Sequence, residues 1–183
     1  MFWYCFTKNK NNIEALEGKA FILLEQKYYE EALNLYEEAI KLNPSNENNL
    51  LGKVKCLENI GKTEEVLNII NEIKGIDKIK LLIKYDKIEE AEKEINDLLG
   101  KDENDINAIF LKGYILYVKN NLDDAKEIFD KIIEKDKKNY FALYNCGLIL
   151  LNNNRTEEAE NYFKKCFEIE HEFSKALICL GNV

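Results

Sequence analysis

Side chains that could catalyse a reaction or hold a metal are few and scattered in this sequence of 183 residues. The only histidine is His171, and no second catalytic or metal-ligating residue lies at a meaningful spacing from it. A zinc site needs clustered ligands, and no two cysteines form a C-x-x-C pair. The sequence therefore predicts no metal, no cofactor and no catalytic residues. We interpret the five cysteines as reduced thiols, several of them small core residues: Cys5, Cys56, Cys146, Cys166 and Cys179.

Motifs of the common enzyme classes are also missing from the sequence. It contains no G-x-x-x-x-G-K phosphate loop, no H-E-x-x-H zinc motif and no nucleophile paired with a base. The adjacent carboxylates Glu157 and Glu158 belong to a predicted helix start, where negative charge suits the positive end of the helix dipole. We therefore predict that the chain is not an enzyme.

The negative net charge of the chain disfavours some classes of binding partner. The net charge is −8 at pH 7, and an acidic chain repels both the phosphates of nucleic acid and an anionic membrane surface. No apolar run approaches the roughly 20 residues that span a bilayer, and the apolar start 1–7 is too short for a signal peptide. We predict a cytoplasmic protein that binds neither nucleic acid nor membrane.

Five small residues recur at regular intervals and indicate the elements of the fold. Three of the four intervals are 34 residues long and the remaining one is 25. A larger residue follows each small one after four positions, and another residue of the same face follows after three more. The pattern predicts five amphipathic helices with a small residue at the same point of each: Ala32, Val66, Ala91, Ala125 and Ala159.

Another helix is predicted before each of these, with a small residue between two large ones. Glycine inside a helix costs about 1 kcal/mol relative to alanine, so we expect Gly113 and Gly147 to have a packing reason. They are predicted to face Ala125 and Ala159 and so to let the two helices approach closely. The clearest examples of the pattern are Ile109–Gly113–Leu116 and Leu143–Gly147–Leu150, with Leu16–Ala20–Leu23 and Leu50–Val54–Leu57 following the same plan.

The segments between the helices carry residues that suit turns. Asparagine and glycine tolerate a left-handed backbone, and they occur at Gly61-Lys62, Asn120-Asn121 and Asn152–Asn154. Thr63 and Thr156 follow two of these turns, and we predict that their hydroxyls cap the helices that begin there.

This pattern resembles the tetratricopeptide repeat family, whose helix–turn–helix unit of 34 residues has small residues in both helices, aromatic residues and a closing proline. The resemblance covers residues 13–183 and implies an all-α fold, an α-solenoid of about five repeats that forms a right-handed superhelix and ends in a terminal helix. The tryptophan of the family's first helix is replaced by Leu or Ile, and a single repeat keeps the proline. The matching residues are Ala32, Tyr36, Pro44, Gly113, Ala125, Phe129, Gly147, Ala159 and Phe163.

The repeat boundaries follow from the same spacing. The interval of 25 residues shortens the junction near residue 75, which predicts either a local change of curvature with a hinge or simply a tighter contact of two repeats. The terminal helix is apolar on more than one side, so the chain is either an excerpt of a longer array or pairs there with another subunit. We predict an apolar segment at 1–12, repeats at about 13–46, 47–74, 75–104, 105–138 and 139–172, and the terminal helix at 173–183.

Candidate binding residues lie on the first helices of repeats 4 and 5. The resemblance implies that these helices line a concave surface and that their exposed positions contact ligands. Both helices carry a second apolar stripe, which must be covered by neighbouring helices or by a partner; ordinary packing between repeats is the alternative. The candidates are Asn107, Phe110, Tyr114, Tyr117 and Val118 in repeat 4, and Phe141, Tyr144, Asn145, Leu148, Leu151 and Asn152 in repeat 5.

The equivalent positions of the first repeat differ in charge. They are partly acidic, so the face is predicted to suit a peptide with a basic portion and apolar anchors. A clamp for a C-terminal carboxylate, which some co-chaperones of the family have, is not predicted, because only Asn145 and Lys175 would fit it. The first-repeat positions are Glu14, Glu17, Phe21, Leu24 and Glu25.

The predicted function is that of a non-catalytic protein–protein interaction scaffold, which binds a peptide or partner protein in its concave groove. Two alternatives stay open. The chain is instead a homo-oligomerisation module that uses the apolar termini at 2–6 and 176–180, or a regulatory arm of a larger protein or enzyme complex.

Overall fold

The computed structural model describes residues 13–170, and within this range the chain forms ten α-helices and no strand. The prediction of an all-α fold built from helix pairs is therefore confirmed. A short 3₁₀ turn, Ile70–Glu72, directly follows the helix Thr63–Ile69. The helices are α1 Ile13–Glu25, α2 Tyr29–Leu42, α3 Glu47–Ile60, α4 Thr63–Ile69, α5 Gly75–Lys84, α6 Ile88–Leu99, α7 Ile106–Val118, α8 Leu122–Lys135, α9 Tyr140–Asn152 and α10 Thr156–Ile169.

The chain divides into two compact units, the N-terminal unit Met1–Tyr85 and the C-terminal unit Asp86–Val183. In the N-terminal unit, α1 packs on α2, α2 on α3 and α3 on α4. In the C-terminal unit, each helix from α6 to α10 packs on the next, and α9 also touches α7. We call the odd-numbered helices A helices and the even-numbered ones B helices. The repeat boundaries and the single array over residues 13–183 stay predictions.

The small residues of the B helices lie at the centre of the packing, as predicted. All five are 0% exposed: Ala32, Val66, Ala91, Ala125 and Ala159. The residue four positions further on is buried in every case, and Phe129 and Phe163 are the largest side chains fully buried. The recurring pattern of the sequence therefore corresponds to the buried face of each B helix.

The two glycines of the A helices contact a different partner from the one expected. A Cβ on Gly113 would lie 2.9 Å from Cγ2 of Ile128 and 3.1 Å from the ring of Phe129. A Cβ on Gly147 would lie 2.5 Å from the ring of Phe163. The contact nearest to each glycine is therefore made by side chains three to four residues after the alanine that the sequence pointed to, because the phenyl ring there reaches across to the A helix.

A third glycine of this kind was missed from the sequence. Gly52 lies in α3, where the repeated pattern pointed to Val54 as the small residue. Val54 is buried, but a Cβ on Gly52 would clash with the ring of Tyr36 on α2. The glycine therefore makes room for a tyrosine of the preceding B helix.

The apolar stripes of α7 and α9 were predicted with unequal success. In α9, Leu143 and Leu150 are buried as expected. In α7, Ile109 and Leu116 are only partly buried, whereas Leu111 and Ile115 are buried. Ile109 and Leu116 nevertheless pack against the buried cluster around Ala125 and Phe129 of α8. The predicted stripe of α7 therefore faces its B helix but is less completely covered than that of α9.

The turns have the predicted left-handed residues. Gly61, Asn120 and Asn154 have φ values of 86°, 61° and 57°. Three further residues, Lys27, Gly75 and Asp86, adopt the same region with φ of 66°, 60° and 57°. Lys27 is the unusual one, because residues other than Gly, Asn and Asp rarely do so.

The predicted threonine caps are wrong. Thr63 and Thr156 are the first residues within α4 and α10, and the preceding Lys62 and Arg155 make no side-chain cap hydrogen bond. A cap side chain must lie one residue before the helix to reach its free N–H groups. Three A helices have such caps, from Asn46, Asp105 and Asn139.

Several predictions concern residues outside the described range. These are the N-terminal apolar segment, the terminal helix at 173–183, and the residues Cys5, His171, Lys175 and Cys179. The three cysteines inside the range are buried, as expected for core thiols: Cys56, Cys146 and Cys166. In the part of the chain that is described, no helix is both long and apolar enough to cross a membrane.

Candidate partner-binding face

The candidate face belongs to the C-terminal unit and is formed by the A helices α7 and α9. Helix α9 packs between α8 and α10 and also touches α7, so both A helices are held against B helices that carry the buried phenyl rings. Most of the predicted binding residues on these two helices are only partly covered. Phe110, Tyr114 and Tyr117 pack against the buried cluster around Phe129 of α8. Tyr144, Leu148 and Leu151 pack against the buried cluster around Phe163 of α10.

A chain of aromatic contacts leads from the core to the surface. The ring centroids of Phe110 and the buried Phe129 lie 5.3 Å apart, and those of Phe110 and Phe141 lie 6.2 Å apart in an edge-to-face arrangement. Tyr140 and Phe141 follow at 4.2 Å. Edge-to-face and tilted contacts of this kind hold rings in fixed orientations. Phe141 therefore contacts two other rings although 49% of it is exposed.

The tyrosines extend this surface along both helices. Tyr114 and Tyr117 on α7 have ring centroids 6.3 Å apart. Tyr144 on α9 lies 5.8 Å from the buried ring of Phe163. All three tyrosines are half-buried, and a tyrosine in such a position buries its ring while its hydroxyl remains in water.

The remaining candidates lie at the rim of this surface, with one exception. Asn107 and Asn152 are exposed, and Val118 is 48% exposed. Leu148 is half-buried. We call the set of exposed and half-buried candidates the aromatic face: Asn107, Phe110, Tyr114, Tyr117, Val118, Phe141, Tyr144, Leu148, Leu151 and Asn152.

Asn145 is the exception, because it is only 5% exposed. Its side-chain nitrogen donates a hydrogen bond of 2.8 Å to the carbonyl oxygen of Phe141 within the same helix. A buried amide that already hydrogen-bonds to the backbone of its own helix is poorly placed to contact a partner. It was included among the candidates because its position fits the polar residues with which some co-chaperones of the family grip a C-terminal carboxylate.

Behind the aromatic face lies a small polar cluster that the sequence did not indicate. Lys126 Nζ lies 2.6 Å from Asp130 Oδ2, and the Cys146 thiol lies 3.6 Å from Asp130 Oδ1. Burial raises the pKa of the Cys146 thiol to about 12. The thiol therefore stays protonated at neutral pH and is a packing group rather than a nucleophile.

The N-terminal unit has its own opening on the side of its A helices. It is a groove of about 610 Å³, lined by residues of α1, α3 and α5 with Tyr36 at its base. A smaller cleft of about 370 Å³ lies between α6 and α7 in the C-terminal unit. The larger groove contains charged as well as apolar side chains, notably Glu17, Phe21, Leu51, Lys55, Glu58, Asp77, Lys80 and Lys84.

Metal binding finds no support among the described residues. Between residues 13 and 170, no three His, Cys, Asp or Glu side chains are grouped so that they could hold a metal ion.

Comparison with protein families gives a consistent match. Three family models described as tetratricopeptide repeat match residues 23–78, 107–139 and 128–161, together more than half of the chain. No curated protein is significantly similar in sequence.

Solved structures share the fold along the chain. YrrB, described as a TPR protein with an unusual peptide-binding site, is 22% identical, with a TM-score of 0.58 over 96% of this chain and 95% of YrrB. A tetratricopeptide repeat protein from Parabacteroides merdae is 18% identical, with a TM-score of 0.64 over 96% of this chain and 85% of that one. Yeast Tom70 is 16% identical, with a TM-score of 0.72 over 99% of this chain and 41% of Tom70. At these identities the likeness shows the fold alone.

Proposed function

The chain belongs to the tetratricopeptide repeat (TPR) family, and from that premise we propose that it is a non-catalytic scaffold that binds a peptide or partner protein on the aromatic face. Repeats of this kind stack side by side and leave the A helices with an extended surface for other molecules. The candidate binding surface of the C-terminal unit is the exposed and half-buried part of α7 and α9 that we call the aromatic face.

The observation that carries the proposal is the position of Phe141. Its ring contacts Phe110, which in turn contacts the buried Phe129, yet 49% of the residue is exposed. An aromatic ring that is exposed but already held in one orientation loses little conformational entropy when a partner covers it. Aromatic anchors of this kind contribute much of the binding energy in protein interfaces.

The side chains of the aromatic face also indicate which class of partner it suits. Its centre is made of rings and aliphatic side chains, and asparagines lie at its rim. Such a surface suits a peptide or helix with apolar anchors flanked by polar groups. YrrB is described as having a peptide-binding site, which supports a peptide as the partner class for this chain as well.

Affinity capture with matched variants tests this proposal. We expect the Phe141→Ala and Tyr114→Ala double variant to lose partners that the wild-type chain captures from its native extract. The thermal unfolding transition should remain cooperative, because Phe141 is half-exposed and Tyr114 half-buried, so that each truncation costs about 1 kcal/mol. Tyr28→Ala is the matched control, since it removes an aromatic residue that is 55% exposed on the N-terminal unit.

Two results would argue against the proposal. Capture of the same partners by the double variant would show that the aromatic face is not the binding surface. A loss of the cooperative transition would show instead that the rings are needed for packing between repeats.

Homo-oligomerisation through the apolar termini remains a separate prediction. Light scattering over a dilution series measures it directly. A constant monomer mass up to high concentration would rule it out, and a mass that rises with concentration would support it.

A further inference from the structure

We propose that the groove of the N-terminal unit is a second binding site, which takes one basic side chain of a peptide or protein on the carboxylate of Glu17. The occupant is a segment with a single arginine or lysine whose aliphatic stem lies against Phe21. This site is distinct from the aromatic face and does not depend on it.

The first observation is the way in which the carboxylate of Glu17 is held. The side-chain nitrogens of Asn46 and Asn49 donate hydrogen bonds of 2.6 and 2.8 Å to the same oxygen, Oε1. Asn49 is 1% exposed, and the Asn46 side chain also accepts a bond from the backbone N–H of Asn48 as the cap of α3. Both amides are therefore fixed, and they fix the carboxylate in turn.

The second observation concerns the other carboxylate oxygen. Among residues 13–170, no donor bonds to Oε2 of Glu17, and no cation forms an ion pair with this carboxylate. In the same part of the chain, no buried side-chain oxygen or nitrogen lacks a partner. Oε2 therefore opens onto the groove, where an incoming N–H group can reach it.

The other carboxylates of the groove are already neutralised. Glu58 accepts from Lys84 Nζ at 2.7 Å and from the Tyr85 hydroxyl at 2.9 Å. Asp77 is paired with Lys80 at 3.3 Å. Glu17 is thus the carboxylate of the groove that is left to attract a cation from outside.

Two neighbouring side chains define what else the ligand must carry. Phe21 follows Glu17 by one helical turn, on the same face of α1, and is 56% exposed. A guanidinium or ammonium group near an aromatic ring gains a cation–π contact, and its stem gains an apolar one. Lys55 lines the same groove and repels a second cation. The site therefore fits one basic residue and disfavours a polybasic segment.

An NMR titration of the full chain with paired peptide pools tests this inference. One pool consists of acetylated and amidated hexapeptides with a central arginine and Ala, Leu, Ser or Phe elsewhere. The other replaces arginine by citrulline, which has the same shape and no charge. We expect the arginine pool to shift the side-chain amide signals of Asn46 and Asn49 at concentrations about tenfold lower than the citrulline pool, the preference that one charge-assisted hydrogen bond gives.

Variants distinguish a specific contribution of Glu17 to arginine binding from a general effect of negative charge in the groove. Glu17→Gln keeps Oε1 as an acceptor for both asparagines, so the fold should be retained while the preference for arginine is lost. Glu58→Gln makes the same change of net charge in the same groove and should leave the preference in place. Phe21→Ser, which does not touch the carboxylate, should weaken arginine binding about threefold through the lost cation–π contact.

Several outcomes would overturn the inference. The arginine and citrulline pools would bind equally well, or neither would shift the side-chain amide signals of Asn46 and Asn49. Glu17→Gln and Glu58→Gln would reduce the preference for arginine equally. A pool with a central glutamate would bind more tightly than the arginine pool. The aromatic-face variant Phe141→Ala should bind the arginine pool normally. Failure of this site and failure of the proposed function would therefore be told apart.

Discussion

At the scale of single residues, Gly147 is one of the positions where the packing leaves no room for a side chain. A Cβ there would lie 2.5 Å from one ring carbon of Phe163 and 2.7 Å from another. Phe163 is fully buried, so its ring cannot move aside without displacing its neighbours. The glycine therefore allows α9 to pack closely against α10, although glycine has a poor helix propensity.

We expect Gly147→Ala to lower the free energy of unfolding by about 1 to 3 kcal/mol, the usual cost of overpacking a core. Urea denaturation measures this change. The double variant Gly147→Ala with Phe163→Leu should recover part of the loss, because the smaller side chain makes room for the methyl group. An alanine variant as stable as the wild type would contradict the close contact.

The buried thiols and phenols predict how stability depends on alkaline pH. Burial raises the pKa of Cys146 from 9.0 to about 12, that of Cys56 from 9.0 to about 11, and that of Tyr36 from 10.0 to about 12. The unfolded chain loses these protons at the ordinary values, so above about pH 9 it binds fewer protons than the folded chain. The free energy of unfolding should therefore fall as the pH rises from about 9 to 12.

Urea denaturation at several values above pH 8 measures this dependence. The Cys146→Ala variant should show a smaller decline, because the thiol with the largest rise in pKa is removed. A free energy of unfolding that stays constant between about pH 9 and 11 would contradict the assigned burial.

At the scale of elements, the helices themselves could be predicted from the sequence, whereas their ends and their contacts with distant residues could not. Ala125 and Ala159 mark the buried face of their helices because local periodicity determines which residues share a face. The bonds of Asn46 and Asn49 to Glu17 join residues 29 and 32 positions apart. No local pattern indicates such a contact, since it depends on how two A helices lie side by side.

The N-terminal cap of α7 can be tested directly. Asp105 precedes α7, and its Oδ1 accepts hydrogen bonds of 2.9 and 3.1 Å from the backbone N–H groups of Asn107 and Ala108. We expect Asp105→Ala to cost about 1 kcal/mol of stability in chemical denaturation. Thr156→Ala is the matched control and should cost less than about 0.5 kcal/mol, because Thr156 lies inside α10 and caps nothing. Equal losses would contradict the observed cap.

At the scale of the whole molecule, the helices of each unit pack mainly on their neighbours in sequence. Local packing explains why a period of 34 residues was enough to predict the fold, because each repeat needs only the adjacent ones. The binding surface was harder to predict, since exposure depends on what the adjacent repeats cover. Asn145 shows this limit, because it is polar and was among the predicted contact residues and yet is 5% exposed.

The central claim is that the A helices of the C-terminal unit present the surface that holds a partner. Hydrogen exchange of the full chain, alone and bound to a captured partner, tests it most directly. We predict slower exchange in α7 and α9 on binding, with the B helices α8 and α10 unchanged. Protection confined to α8 and α10, with exchange in α7 and α9 unaltered, would contradict the claim.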